Sequence, residues 1–296
     1  MISIVICSKT IDISQSLKIN IQETIGVKYE VIVINNSQNN YSIFSAYNLG
    51  VKQCNNEIIC FMHDDVHFET LNWGNIVINQ FQKENIGAVG VAGTPYYAKM
   101  PGAWWSGGMI CQHISGQTDY AYAPIKNNAL PIVVLDGLWF CIKKELFKTI
   151  LFDDKNFSGF HFYDVDISLQ IKNLGFEILS LYNITISHSS GKLDSVWLKN
   201  ALILNKKWEK HLPLSVINIT YKQEVKIEYL VLSEYLKAMH LNGIKWFKII
   251  QFALVQILKN RLNRLRFETP FVFILYGLRQ IMKIVGLKKL LRNFVI

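Results

Sequence analysis

Two adjacent carboxylates, Asp64 and Asp65, stand where an apolar run ends in Phe61-Met62-His63-Asp64-Asp65-Val66. Oxygen ligands at such a point suit Mg²⁺ or Mn²⁺, and a divalent ion held there can in turn hold a diphosphate. Taken alone, such a pair more often opens a turn or caps a helix. A second acidic pair, Asp164 and Asp166, falls in the first turn of a later helix, and His188 closes a strand beyond it. Each has a structural alternative, because first-turn acids complement the helix dipole and a lone histidine is more often structural than a ligand.

The elements that must position these groups alternate in type. Ile2 to Cys7, Glu30 to Asn35, Glu57 to Met62 and Ile86 to Ala92 are short β-branched apolar runs, as strands buried on both faces produce. Between them, Ile43, Tyr47 and Val51, and later Ile76, Gln80 and Phe81, have helical spacing. A strand-helix rhythm predicts an α/β fold with a parallel sheet, whose ligands bind beyond the carboxyl ends of the strands. Those ends are Cys7-Ser8-Lys9, Asn35-Asn36-Ser37 and His63-Asp64-Asp65. Gly93 to Pro131 shows no period and reads as a functional loop or lid. A strand from Ile132 to Leu135 runs into Asp136-Gly137, and a helix starts near Lys143. Asp164, Ile167, Ile171 and Leu174 mark one helix face, Gly175 ends that helix, and a strand runs from Phe176 to Ser187. From Val225 onward the pattern is helical.

The net charge of +9 sits at one end. Residues 222–296 hold 14 Lys plus Arg against 4 acids, which leaves 17 against 18 in the first 221. The tail from 241 to 296 interleaves Trp246, Phe247, Phe252, Phe271, Phe273 and Leu290 with Lys and Arg. Such a segment predicts peripheral contact with an anionic membrane surface, the alternative being a helical bundle with a solvated basic face. The apolar stretch Pro270 to Leu278 is far below the roughly 18–20 residues a span needs. Five scattered cysteines without C-x-x-C spacing and an N-terminus without a basic leader predict a reduced, cytoplasmic setting. No zinc spacing or RNP-like motif supports nucleic-acid binding, and no G-x-G-x-x-G follows the first strand for a dinucleotide.

The order of these motifs resembles that of the family 2 glycosyltransferases, which have the fold called GT-A, over roughly residues 1 to 210. Ser3-Ile4-Val5-Ile6 resembles the family's opening strand, and Val31 to Ser37 the second, whose end touches the base. Ala46-Tyr47-Asn48-Leu49-Gly50 is similar to A-R-N-x-G, with Tyr47 in the Arg position. The D-x-D motif falls on His63-Asp64-Asp65, a departure at His63. Gly137 to Lys143, Phe152-Asp153-Asp154 and Tyr163 to Gln170 resemble the later block that ends in E-D-x-D-x-x-x-R, with Tyr163 for Glu and Gln170 for Arg. Ile186 to Gly191, with Trp197 and Lys207-Trp208, resembles the segment whose histidine completes the metal site. His63 to Val66 and His161 to Asp166 together resemble a subgroup with H-D-D-V and H-x-Y-D-x-D signatures.

The resemblance implies a GT-A domain over 1–215, with a nucleotide-binding half (1–95) and an acceptor half (96–215), followed by a helical basic extension (222–296). It implies a nucleotide-diphosphate-sugar donor lined by Cys7, Ser8, Asn35, Asn36, Asn48 and Asp64. Mn²⁺ or Mg²⁺ would sit on Asp65 and His188 with His63, and Asp164 would be the general base of an inverting transfer. Trp104 and Trp105, in a stretch without period, are expected to cover the donor or stack on the acceptor, packing alone being the equal alternative. Asp166 is expected to meet the acceptor, a surface glycan or lipid-linked glycan, at the inner face of the cytoplasmic membrane. The competing expectation is a non-catalytic scaffold that keeps this fold and has lost turnover through His63 and Tyr163.

Overall fold

A computed structural model of the chain describes residues 1–122, 128–188 and 194–262. Its first half alternates β1 (Ile2–Ser8), α1 (Gln15–Thr24), β2 (Tyr29–Asn35), α2 (Ile43–Gln53), β3 (Ile58–Met62), β4 (His67–Phe68), α3 (Trp73–Phe81) and β5 (Ile86–Gly90). There follow β6 (Ala92–Thr94), β7 (Tyr96–Tyr97), β8 (Cys111–Ile114), β9 (Gln117–Asp119), β10 (Ala129–Ile132), β11 (Val134–Leu135) and β12 (Trp139–Lys143). The rest comprises α4 (Tyr163–Asn173), β13 (Glu177–Leu181), β14 (Ile186–Ser187), α5 (Ser195–Trp208), β15 (Leu214–Ser215), α6 (Tyr221–Leu241) and α7 (Trp246–Leu262).

The central sheet has the order β10-β13-β5-β12-β3-β1-β2. Five of its strands share a direction, because β1 runs parallel to β2 and β3, and β13 parallel to β5. β12 and β10 run against them. The fold is therefore α/β with a mostly parallel sheet, as expected, and β12 is the antiparallel strand in its middle. Trp139 to Ile142 are fully buried or nearly so. A strand covered on both faces shows the same unbroken apolar run in either direction, so the run does not betray its sense.

The described residues of the Gly93 to Pro131 stretch are not all loop. β6 and β8 pair within a second sheet, β11-β6-β8-β14-β4, with β9 alongside β8. Strands of two to four residues are too short to display a period, which is why this stretch reads as loop. The expected strand from Phe176 to Ser187 is broken into β13 and β14, which belong to different sheets. Near Lys143 the chain makes only a short 3₁₀ turn, Lys144–Lys148.

The helical extension is fastened to this body. Glu228 of α6 is buried and accepts hydrogen bonds from the Tyr96 hydroxyl (2.9 Å) and from the backbone N–H groups of Lys99 and Met100 (2.8 Å each). The Tyr235 hydroxyl donates to Leu198 O at 2.9 Å. Gly102 allows this approach, since a Cβ there would lie 2.4 Å from Val231 Cγ1. Glu228→Ala removes one acceptor from three donors at once, and urea denaturation is expected to show a loss of about 1–3 kcal/mol. No helix among the described residues is long and apolar enough to cross a membrane. The part of the tail beyond Leu262, including Phe271, Phe273 and Leu290, lies outside the described residues.

Candidate functional site

β1, β2 and β3 end side by side, so their last residues meet at one edge of the sheet. There the Ser8 hydroxyl donates to Asp64 Oδ2 at 3.0 Å, with the Lys9 backbone N–H 3.4 Å from the same oxygen. Cys7 is buried beneath, its thiol pushed up to about 11 by burial, with a hydrogen bond involving Asn36 in opposition. Asn36 is itself buried and exchanges hydrogen bonds with the Tyr41 backbone, whereas Asn35 is exposed. Ser8, Asp64, Cys7 and Asn36 therefore form one corner. Asn48 holds a different place: its amide clamps both the N–H and the C=O of Phe152.

Beyond Asp64, the chain brings three ligand-type side chains together. His63 Nδ1 lies 3.0 Å from His188 Nε2, and His188 Nε2 lies 3.5 Å from Asp65 Oδ1. One ligand atom from each of His63, Asp65 and His188 falls within 4.8 Å of the others. Atoms that share an ion through bonds of about 2.1 Å at octahedral to tetrahedral angles stand roughly 3.0–3.4 Å apart. Two of the separations, 3.0 and 3.5 Å, lie at or near that range, so the donor set suits one divalent cation, with Asp65 exposed and the histidines half-buried.

His63 is oriented from behind. Its Nε2 lies 2.8 Å from the Tyr163 hydroxyl, which donates to Gly137 O at 2.9 Å. The phenol sits against bare backbone, since a Cβ on Gly137 would lie 2.1 Å from that oxygen. Burial, the largest influence, and the neighbouring His188 lower the His63 pKa, while Asp136, Asp65 and Asp64 oppose them.

Tyr163 and Asp164 open α4 just after Phe162, which adopts a left-handed backbone with φ 74°. Such a conformation in a bulky residue costs on the order of 1–3 kcal/mol and persists only where its surroundings enforce it. Here the buried Phe162 ring packs on Trp197 with centroids 5.6 Å apart. The Asp164 carboxyl is pushed up to about 7, chiefly by burial and then by the charge of Asp136. Backbone N–H groups, including those of Val165 and Gly137, act in the other direction. Asp136 is itself pinned, accepting from Trp104 Nε1 at 2.9 Å and from the Leu138 N–H at 2.8 Å. Trp105 stacks edge-on against Trp104 and is 41% exposed.

Asp166 faces inward instead. It is buried and accepts from Trp208 Nε1 (2.8 Å), Lys207 Nζ (2.9 Å) and Gln170 Nε2 (2.9 Å), which ties α4 to α5. An acceptor role was expected for it, but the structure places it in a helix-to-helix anchor away from solvent. Lys207→Met leaves this buried carboxylate to Trp208 and Gln170 alone. Since Lys207 is partly exposed, a loss of about 1–3 kcal/mol in thermal or urea unfolding is expected. Sequence reading missed Asp136 and the role of Tyr163. The Asp136-Gly137 pair after a strand was the available signal for the first; the second had none.

The model of the glycosyltransferase-like family matches residues 2–210, and the chain belongs to that family. It is, by this membership, a glycosyltransferase-type enzyme. Among solved structures, GalNAc-T7 with UDP, GalNAc and Mn²⁺ is similar at 13% identity and a TM-score of 0.49 over 86% of this chain and 57% of that one. The mannosyltransferase PcManGT from Pyrobaculum calidifontis, in complex with GDP-Man and Mn²⁺, is similar at 11% identity and a TM-score of 0.48, over 98% and 86% of the respective chains. No curated protein matches the chain.

Proposed function

We propose that this chain transfers a sugar from a nucleotide diphosphate to an acceptor hydroxyl with inversion, and that it belongs to the subgroup marked by H-D-D-V and H-x-Y-D-x-D. The observation that carries the reading is the convergence of His63, Asp65 and His188 on one cation-sized point, joined through Tyr163 to Asp164. Asp65, His188 and His63 would hold Mn²⁺ or Mg²⁺, which when bound offsets the negative charge growing on a departing diphosphate. Ser8 and Asp64, already bonded to each other, line the corner that a donor's ribose and phosphate would enter. Asp164 accepts the proton of the acceptor hydroxyl as that oxygen attacks the anomeric carbon. Direct attack inverts the centre and requires no covalent intermediate. Trp105, exposed beside the pinned Trp104, offers a face for an acceptor sugar to stack on.

Calorimetry of UDP, GDP and dTDP binding, with Mn²⁺ or with EDTA, tests this on the wild type and on Asp65→Ala. The expected result is one nucleotide bound only with metal, and at least tenfold weaker in the variant. Absence of any nucleotide binding would instead favour the non-catalytic scaffold.

Contact with an anionic membrane surface belongs to the same reading. On α7, Trp246, Phe247, Val255 and Leu258 are exposed along the stretch that carries Lys245 and Lys248, whereas Lys259 pairs with Glu209, and Ile249 and Ala253 are buried in a cluster with α6 side chains. An acceptor carried on a lipid fits such a surface. The double variant Trp246→Glu, Phe247→Glu is expected to reduce cosedimentation with phosphatidylserine-containing vesicles without changing nucleotide affinity.

A further inference from the structure

Two departures from the family's motifs, His63 in the D-x-D segment and Tyr163 before Asp164, are one device in space. They lie 100 residues apart and meet at 2.8 Å. A phenol has a single proton, and Tyr163 directs it to Gly137 O. The lone pair that remains on its oxygen takes the Nε2–H of His63. With Nε2–H given to that oxygen, the singly protonated ring presents an Nδ1 lone pair toward His188 Nε2, 3.0 Å away.

We propose that Tyr163 is a positioning residue that fixes the tautomer of His63, and that the resulting two-imidazole, one-carboxylate centre selects a transition-metal ion over Mg²⁺. The inference rests on the metal site of the proposed function and narrows it. Imidazole nitrogens suit Co²⁺, Zn²⁺ and, more weakly, Mn²⁺, whereas Mg²⁺ requires hard oxygen ligands. Replacing the first carboxylate of a D-x-D motif by His63 removes one such oxygen and adds a nitrogen. A histidine ligand also needs its distal N–H held, or the ring spends part of its time in the wrong tautomer or turned away. Tyr163, backed by the bare backbone of Gly137, supplies that hold.

Co²⁺ binding by the full-length protein, followed through its visible absorption and by calorimetry, tests the proposal without reference to turnover. The wild type is expected to bind Co²⁺ with a spectrum of nitrogen ligation and to retain it in hundredfold excess Mg²⁺. Tyr163→Phe, which removes only the hydroxyl, is expected to weaken Co²⁺ affinity by about 10–100-fold and Mg²⁺ affinity by a smaller factor. His63→Asp restores a carboxylate and is expected to narrow the preference for Co²⁺ over Mg²⁺ by about tenfold or more; it serves as the test if Tyr163→Phe does not fold, and an unchanged preference in it would overturn the proposal. Unchanged Co²⁺ affinity in Tyr163→Phe, or displacement of Co²⁺ from the wild type by equimolar Mg²⁺, would overturn the proposal and leave the donor-site reading standing. If the wild type binds no divalent ion with or without nucleotide, the metal site itself falls, and this inference with it.

Discussion

Asp164→Asn is expected to lower kcat for sugar transfer by about 10²–10⁴, the range a positioned general base supplies, while metal-dependent nucleotide binding stays at the wild-type level. The amide keeps the shape of the side chain at the first turn of α4 and removes only its ability to take a proton. The carboxyl of Asp164 is held up to about 7 by burial and by Asp136, so it titrates near neutral pH. A base works in its ionised form, and kcat/KM is therefore expected to rise with pH through about 7 and level off above. Stability runs the other way. An acid whose folded pKa lies above the unfolded value of about 3.9 favours the folded state most below that value, and this contribution is lost as pH rises toward 7. Ionisation thus gains a catalyst at a cost in stability. Asp136→Asn removes the second of the two influences, and the acidic limb of the pH profile is expected to move to lower pH. A limb that stays in place would show that burial alone sets the value.

The corner that gathers these groups was partly legible in the sequence. Ser8, Asp64 and Asp65 are polar residues emerging abruptly from buried strands, and parallel topology alone brings such ends together. His188 followed from motif order, and it does lie beside Asp65. The contact between His63 and Tyr163 is of another kind. It depends on β12 entering the sheet antiparallel beside β3, which sets Leu138 O against the His63 N–H and delivers Gly137 to the site. Neither the direction of a doubly buried strand nor the partner of a distant phenol is written in local periodicity. For the same reason Asp166 read as a ligand-facing acid: its spacing from Asp164 was visible, but the indole of Trp208 and the ammonium of Lys207 that enclose it come from α5.

Gly137 is where fold and chemistry are least separable, and Gly137→Ala is expected to harm both. The new Cβ would stand 2.1 Å from the Tyr163 oxygen, 2.5 Å from Cζ and 3.1 Å from Cε2. The ring has no room to yield. It is fully enclosed, edge-on to Tyr47 at 5.4 Å and to Phe44 at 6.2 Å. Overpacking of this sort costs typically 1–3 kcal/mol, to be read from urea denaturation. Because the phenol is forced off Gly137 O and away from His63, metal affinity is expected to fall about 10–100-fold as well, as when a ligand loses its outer hydrogen bond. The double variant Gly137→Ala, Tyr163→Phe separates the two effects. Deleting the hydroxyl relieves the shortest contact but not those to the ring carbons, so stability should recover in part. Metal affinity should not recover, since the group that orients His63 is gone. Recovery of metal binding in the double variant would mean that Gly137 acts on the site through backbone placement of β12 and not through the phenol.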